Sequence, residues 1–83
     1  MGVFYAIGDK IMNFAQRLIE IMETRGLTAY RVSKGTGISD SLLGYYRSGK
    51  NDPSSENLVK LADYFNVSVD YLLGRTDKPE VNK

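Results

Sequence analysis

Four times between Leu27 and Leu72 the chain repeats one short signature: a Ser or Thr, an apolar residue or Pro just before it, and an apolar residue four positions after it. The instances are Leu27-Thr28 with Val32, Ile38-Ser39 with Leu43, Pro53-Ser54 with Leu58, and Val67-Ser68 with Leu72. A hydroxyl at that place accepts an otherwise unpaired N–H of a helix's first turn. The apolar pair around it is a hydrophobic staple, which fixes how the chain enters the helix, and it is clearest in the three instances without Pro. One match is weak evidence, but four in register over 46 residues predict four short helices.

The helix ends agree. Gly37, Gly49, Asn66 and Gly74 each follow one of these segments, and Gly and Asn accept the left-handed backbone that closes a helix. Upstream, Ile11, Phe14, Ala15, Leu18, Ile21 and Met22 recur at spacings of three and four. That is a helical stripe, with Asp9 as its N-cap and Gly26 as its stop. Met12 and Ile19 lie off the stripe and mark a second contact. Between Leu27 and Gly74 nothing alternates as a strand does. The predicted architecture is all-α, with helices over about 9–25, 29–35, 40–48, 55–65 and 69–73. Residues 9–74 form the domain, and residues 75–83, polar and containing Pro79, form a flexible C-terminal tail. Residues 1–8 are an N-terminal extension whose patch Val3 to Ile7 could be a strand, a helical extension or disorder.

Composition then narrows the function. A chain of 83 residues is one small domain, too short for a two-domain enzyme with a closed cleft. It contains no Cys and no His, which removes disulfides, nearly all zinc or copper sites, and the Ser-His and Cys-His nucleophile pairs. Asp63, Asp70 and Asp77 are spaced in sequence rather than clustered in a loop, so no metal site is predicted. With no paired carboxylates either, the chain reads as non-enzymatic, with no cofactor and no evident small-molecule ligand. No apolar run approaches the ~20 residues of a membrane span. The N-terminus lacks the basic region of a signal peptide. A small chain without staples fits a reducing cytoplasm.

The formal net charge is +1, and that average conceals a pattern. Residues 1–24 carry −1, residues 25–50 carry +4, and residues 51–83 carry −2. The basic excess comes from Arg25, Arg31, Lys34, Arg47 and Lys50 against Asp40 alone. It falls on the second and third predicted helices. A binder of polyanions is built this way, with one positive face on an otherwise neutral to acidic body. A solvated basic face is the competing reading.

Those two helices are joined by Gly35-Thr36-Gly37-Ile38-Ser39, a tight Gly-containing turn that makes them a helix-turn-helix candidate. Ser33 supplies a small residue where the helices touch, and Gly37 tolerates a positive φ in the turn. Val32, Ile38, Leu43 and Tyr46 are the inward anchors. Asp40, Ser41, Gly44, Tyr45 and Ser48 are the outward positions of the second helix of the pair. Leu61, Tyr64, Phe65, Tyr71 and Leu72 are expected in the core.

Here the chain resembles the lambda-repressor-like helix-turn-helix domains of Cro and Xre type. The resemblance covers about Phe14 to Asp77. It rests on Arg17-Leu18 with Ile21, Arg25-Gly26-Leu27-Thr28, Thr36-Gly37-Ile38-Ser39, Tyr46 with Gly49-Lys50, and Pro53-Ser54. It continues through Asn57-Leu58 to the run Phe65-Asn66-Val67-Ser68-Val69-Asp70-Tyr71-Leu72-Leu73-Gly74. It implies a five-helix domain that binds double-stranded DNA, usually as a homodimer, and regulates transcription. Many such proteins come from bacteria, phages and mobile elements. Residues 39–48 would be the helix that enters the major groove. By position, Asp40, Ser41, Gly44, Tyr45 and Asn51 would read bases, whereas Tyr30, Arg31, Lys34, Ser39, Arg47, Ser48 and Lys50 would meet the DNA backbone. Three departures stand out. Ala29 and Asp40 occupy positions where Gln is common, and Arg47 occupies one where Glu is common.

The leading expectation is a repressor that binds a palindromic operator as a homodimer and answers to a signal from outside this domain. Its dimer surface would be Val69 to Leu73, or Val3–Ile7 with Ile19 and Met22. The alternative is an antitoxin-like or adaptor module that keeps the fold and mainly binds protein. Ala29, Asp40 and Gly44 favour that alternative.

Overall fold

The structure is a computed structural model that describes residues 12–81. The helices are α1 (Phe14–Thr24), α2 (Ala29–Thr36), α3 (Asp40–Ser48), α4 (Ser55–Phe65) and α5 (Val69–Leu72). Among the described residues there is no strand. The all-α expectation holds, and from the second helix onward the boundaries agree with it to within one residue.

The four hydroxyl caps form as their spacing predicts. Thr28, Ser39, Ser54 and Ser68 accept the backbone N–H of Arg31, Leu42, Asn57 and Tyr71 respectively, at 3.0–3.1 Å. Each such cap stabilises its helix by about 1 kcal/mol relative to alanine. The predicted stops hold as well. Gly37, Gly49 and Asn66 are left-handed caps, and Gly74 has a φ of 77°.

The first helix starts later than its apolar stripe suggests. It begins at Phe14, not near residue 9. Asn13 accepts from the Gln16 N–H at 2.9 Å, and the Gln16 side chain accepts from the Asn13 N–H at 3.0 Å. That reciprocal capping box satisfies two donors locally and sets the start. Asp9, Ile11 and the patch Val3 to Ile7 lie outside the described residues.

One core joins all five helices: α1 packs on α3 and α5, α2 on α3 and α4, and α4 on α5. Leu18, Val32, Leu43, Leu61, Phe65 and Leu72 are its fully buried centre. Ile38, the only apolar residue of the α2–α3 turn, is buried, and so is Tyr46. Tyr46 stacks edge-on against Phe14 with ring centroids 5.6 Å apart, and its hydroxyl accepts from Asn57 Nδ2 at 2.9 Å. The recognition-helix candidate is therefore tied to the start of α1 and the start of α4. On α2, Ser33 is half-buried, but the position with no room for a side chain is Gly35, where a Cβ would meet the Tyr64 ring. Met22, considered for a dimer surface, is instead part of the core.

Residues 75–81 depart from the expected flexible tail. The Ser68 N–H donates to the Pro79 carbonyl at 3.0 Å. Arg17, buried on α1 with 4% of its surface exposed, reaches the same segment. Its Nε donates to the Tyr71 carbonyl at 2.9 Å and its Nη2 to the Thr76 carbonyl at 3.1 Å. A polar tail frays when its backbone finds only water; here the Thr76 and Pro79 carbonyls accept from the body, and the Arg75 N–H donates to the Asp70 carbonyl at 2.9 Å.

Candidate nucleic-acid interface

The turn between α2 and α3 sets how the pair is presented. Thr36 Oγ1 donates to the Val32 carbonyl at 2.7 Å and accepts from the Ile38 N–H at 3.1 Å. Gly37, with φ 81°, donates its N–H to the Ser33 carbonyl at 2.8 Å. Glycine takes that φ at no steric cost. Ile38 then drops into the core, and Ser39 caps the next helix.

On α3 the inward and outward residues separate as a helical period requires. With about 100° between successive residues, Leu42, Leu43 and Tyr46 share one side. Asp40, Ser41, Gly44, Tyr45 and Ser48 occupy the other, and Arg47 falls at the border beside Leu43. Leu43 and Tyr46 are buried, whereas Asp40, Ser41, Arg47 and Ser48 are exposed and Tyr45 is 48% exposed. Gly44 is half-buried, yet a Cβ built on it would meet nothing within 4 Å. The base-reading positions expected from sequence thus lie on one open helix face, with the exception of Asn51.

Asn51 lies past the far end of α3. Gly49 and Lys50 turn the chain by donating their N–H groups to the carbonyls of Tyr46 (3.2 Å) and Tyr45 (3.0 Å). Asn51 and Asp52 then line a crevice of about 90 Å³ with Asn13, Phe14 and Ala15 at the start of α1. Asn51 and Lys50 are exposed there, separated from Asp40 by the length of the helix.

The backbone-contact candidates are exposed as well: Tyr30 at 63%, with Arg31, Lys34, Ser39, Arg47, Ser48 and Lys50. Lys34 Nζ lies 5.7 Å from the Tyr30 ring centroid, which couples these two on the outer side of α2. Ser39 keeps its hydroxyl proton available, because its oxygen acts as an acceptor in the cap. Ser48 is different: its hydroxyl donates to the Tyr45 carbonyl at 2.9 Å, so it offers lone pairs rather than a proton. Arg25 keeps its charge but is committed elsewhere. It donates to the Phe65 carbonyl at 2.6 Å, where it complements the C-terminal end of α4. Arg31, Lys34, Arg47 and Lys50 remain, and none of them makes an ion pair among the described residues. The candidate interface is thus an open helix face with four cations that make no ion pair among the described residues, with Asp40 as the carboxylate on α3 and Asp52 in the loop after it.

Sequence reasoning missed two supporting residues. Asn57 holds the Tyr46 hydroxyl, and its location in the first turn of α4 was the only available signal. Arg17 had a better one, since it falls at the edge of the apolar arc of α1, where a charge is out of place.

Comparison with known proteins gives three findings. The helix-turn-helix family model matches residues 18–72. Among curated proteins, the HTH-type transcriptional regulator YobD of Bacillus subtilis is 37% identical over 67 residues, covering 81% of this chain and 60% of that protein. The cryptic phage CTXphi transcriptional repressor RstR of Vibrio cholerae is 36% identical over 64 residues, covering 77% and 57%. Among solved structures, the restriction-modification controller protein C.AhdI from Aeromonas hydrophila has a TM-score of 0.68 at 29% identity, covering 82% of this chain and 98% of that one. The chain spans about 60% of the length of the curated relatives it matches.

Proposed function

The chain belongs to the lambda-repressor-like helix-turn-helix family, whose members regulate transcription rather than catalyse reactions, and from that premise we propose that it is a sequence-specific DNA-binding transcriptional regulator. In this reading α3 enters the major groove, with Asp40, Ser41, Gly44 and Tyr45 toward base edges and Asn51 reaching bases from the following loop. Tyr30, Arg31, Lys34, Ser39, Arg47 and Lys50 meet the phosphate backbone, and Ser48 does so only by turning its hydroxyl away from the Tyr45 carbonyl. The observation that carries the reading is that Arg31, Lys34, Arg47 and Lys50, around one open helix face, make no ion pair among the described residues. A single helix touches few base pairs, so the regulator acts as a homodimer on a palindromic operator with half-sites about 34 Å apart, and represses by occluding a promoter. Exposed apolar area around α5 supports pairing there: Leu73 after its end is 37% exposed, and Val59 (50%) and Val81 (44%) line a crevice with Val69 at its start.

A second reading, a module of the same fold that mainly binds protein, is favoured by Asp40. An exposed carboxylate on the reading face opposes phosphate. Salt dependence separates the two readings. Each phosphate neutralised lowers log K by about 0.9 per unit of log salt, so four cations predict a slope of roughly −3.6 for one protomer and twice that for a dimer. Arg47→Ala and Lys50→Ala each reduce the slope by about 0.9 per protomer, about 1.8 for the dimer, and weaken all duplexes alike. Fluorescence anisotropy over a salt series measures both. A protein that binds no duplex at about 50 mM salt is not a DNA-binding regulator.

A further inference from the structure

Gly44 has no structural task inside the protein. Gly26, Gly37, Gly49 and Gly74 adopt positive φ, and Gly35 abuts the Tyr64 ring. Gly44 sits in the middle of α3 with helical φ, and a Cβ there would meet nothing within 4 Å. Glycine at such a place weakens a helix relative to alanine. What the missing side chain makes room for therefore lies outside the fold.

One helical turn earlier on the same face stands Asp40. It is exposed and makes no ion pair or side-chain hydrogen bond among the described residues. An ionised carboxylate can only accept, and phosphate oxygens repel it. On the groove-facing side its only compatible partners are amino groups, which in the major groove means cytosine N4 or adenine N6. Adenine N6 is flanked on both sides by acceptors, its own N7 and the O4 of the paired thymine. Cytosine N4 has an acceptor on one side only, with C5–H on the other. A carboxylate, with lone pairs on both oxygens, therefore suits cytosine better. The Asp side chain is short, so the helix backbone must come close to the base edge for it to arrive.

Resting on the DNA-binding reading above, we propose that Asp40 is a specificity-determining residue that accepts the N4 amino group of a cytosine, and that Gly44 is the gap that lets α3 seat deeply enough for it to do so.

Selection of bound sites from random duplex DNA tests this with the wild type, Asp40→Asn and Gly44→Ala. The wild type is expected to enrich one cytosine position per half-site, and changing that C·G pair weakens its binding roughly 5- to 150-fold. Asp40→Asn keeps the rest of the site and moves that position toward adenine, whose N6 and N7 an amide can pair together. Gly44→Ala is expected to melt roughly 4–8 °C higher, because the helix gains, while binding the wild-type site about tenfold more weakly or worse. A wild type that enriches a site with no cytosine column altered by Asp40→Asn overturns the assignment of Asp40 and leaves the DNA-binding reading standing. A Gly44→Ala protein that binds the wild-type site undiminished overturns the role of the gap. A wild type that enriches no sequence overturns both the DNA-binding reading and this inference.

Discussion

Replacing Arg17 with alanine is expected to destabilise the domain by about 2–4 kcal/mol, a large share of what a chain this size has to lose. The side chain is 4% exposed, and each arm of its guanidinium has a separate partner. Besides the carbonyls of Tyr71 and Thr76, Nη1 pairs with Glu20 at 2.8 Å, and the plane lies 3.9 Å from the Tyr71 ring centroid. Truncation leaves the Thr76 carbonyl without a donor, at about 1–3 kcal/mol, takes one donor from the Tyr71 carbonyl, which keeps the Gly74 N–H at 3.1 Å, and opens a void beneath the ring. The ion pair itself is the smaller part, because the Glu20 side chain is 37% exposed and solvent screens it. Arg17→Lys should recover little. One ammonium cannot reach two carbonyls and stack at once. Denaturant titration of the three proteins gives the free energies. Trypsin gives a local readout at the Arg75–Thr76 bond, because releasing the Thr76 carbonyl frees that segment. A loss below about 1 kcal/mol for Arg17→Ala would mean that water replaces the guanidinium without penalty.

What was legible in the sequence follows from how far each interaction reaches along the chain. Thr28, Ser39, Ser54 and Ser68 each bond a backbone group three residues ahead, so spacing alone identifies them. The outward face of α3 was equally accessible, because one helical period assigns Leu43 and Tyr46 inward and leaves Asp40, Ser41 and Tyr45 outside. The position of Arg17 at the edge of the apolar arc was legible, but its partners were not, since those carbonyls lie 54 and 59 residues away. Arg25 misled for the same reason. It counts toward the basic segment in sequence, yet its partner, the Phe65 carbonyl, is 40 residues on. The start of α1 was misread for a local reason instead: the apolar spacing continues upstream of Asn13, and two polar residues, Asn13 and Gln16, end the helix before the spacing does.

Gly74→Ala is expected to cost about 3 kcal/mol or more, and a comparison with Gly49→Ala shows why. Both glycines have positive φ, 77° and 81°, so alanine at either position bears about 1–2 kcal/mol of backbone strain. At Gly49 nothing else follows, because a Cβ there meets no atom within 4 Å. At Gly74 the Cβ would land on the Met12 carbonyl oxygen, with the carbonyl carbon 2.7 Å away. A side chain could rotate aside, but these are backbone atoms, and the next residue is the N-cap of α1. Relief therefore requires either the end of α5 or the entry to α1 to shift, and both are anchored in the core through Leu72 and Phe14. The difference between the two alanine variants isolates the steric contact from the φ penalty, and thermal and denaturant unfolding of both proteins measures it. At temperatures well below the melting point, Gly74→Ala should retain the wild-type salt slope in DNA binding, because position 74 lies off the α2–α3 face. Equal losses at the two positions would mean that the Met12 backbone yields freely, and that the entry to α1 is not fixed against the end of α5.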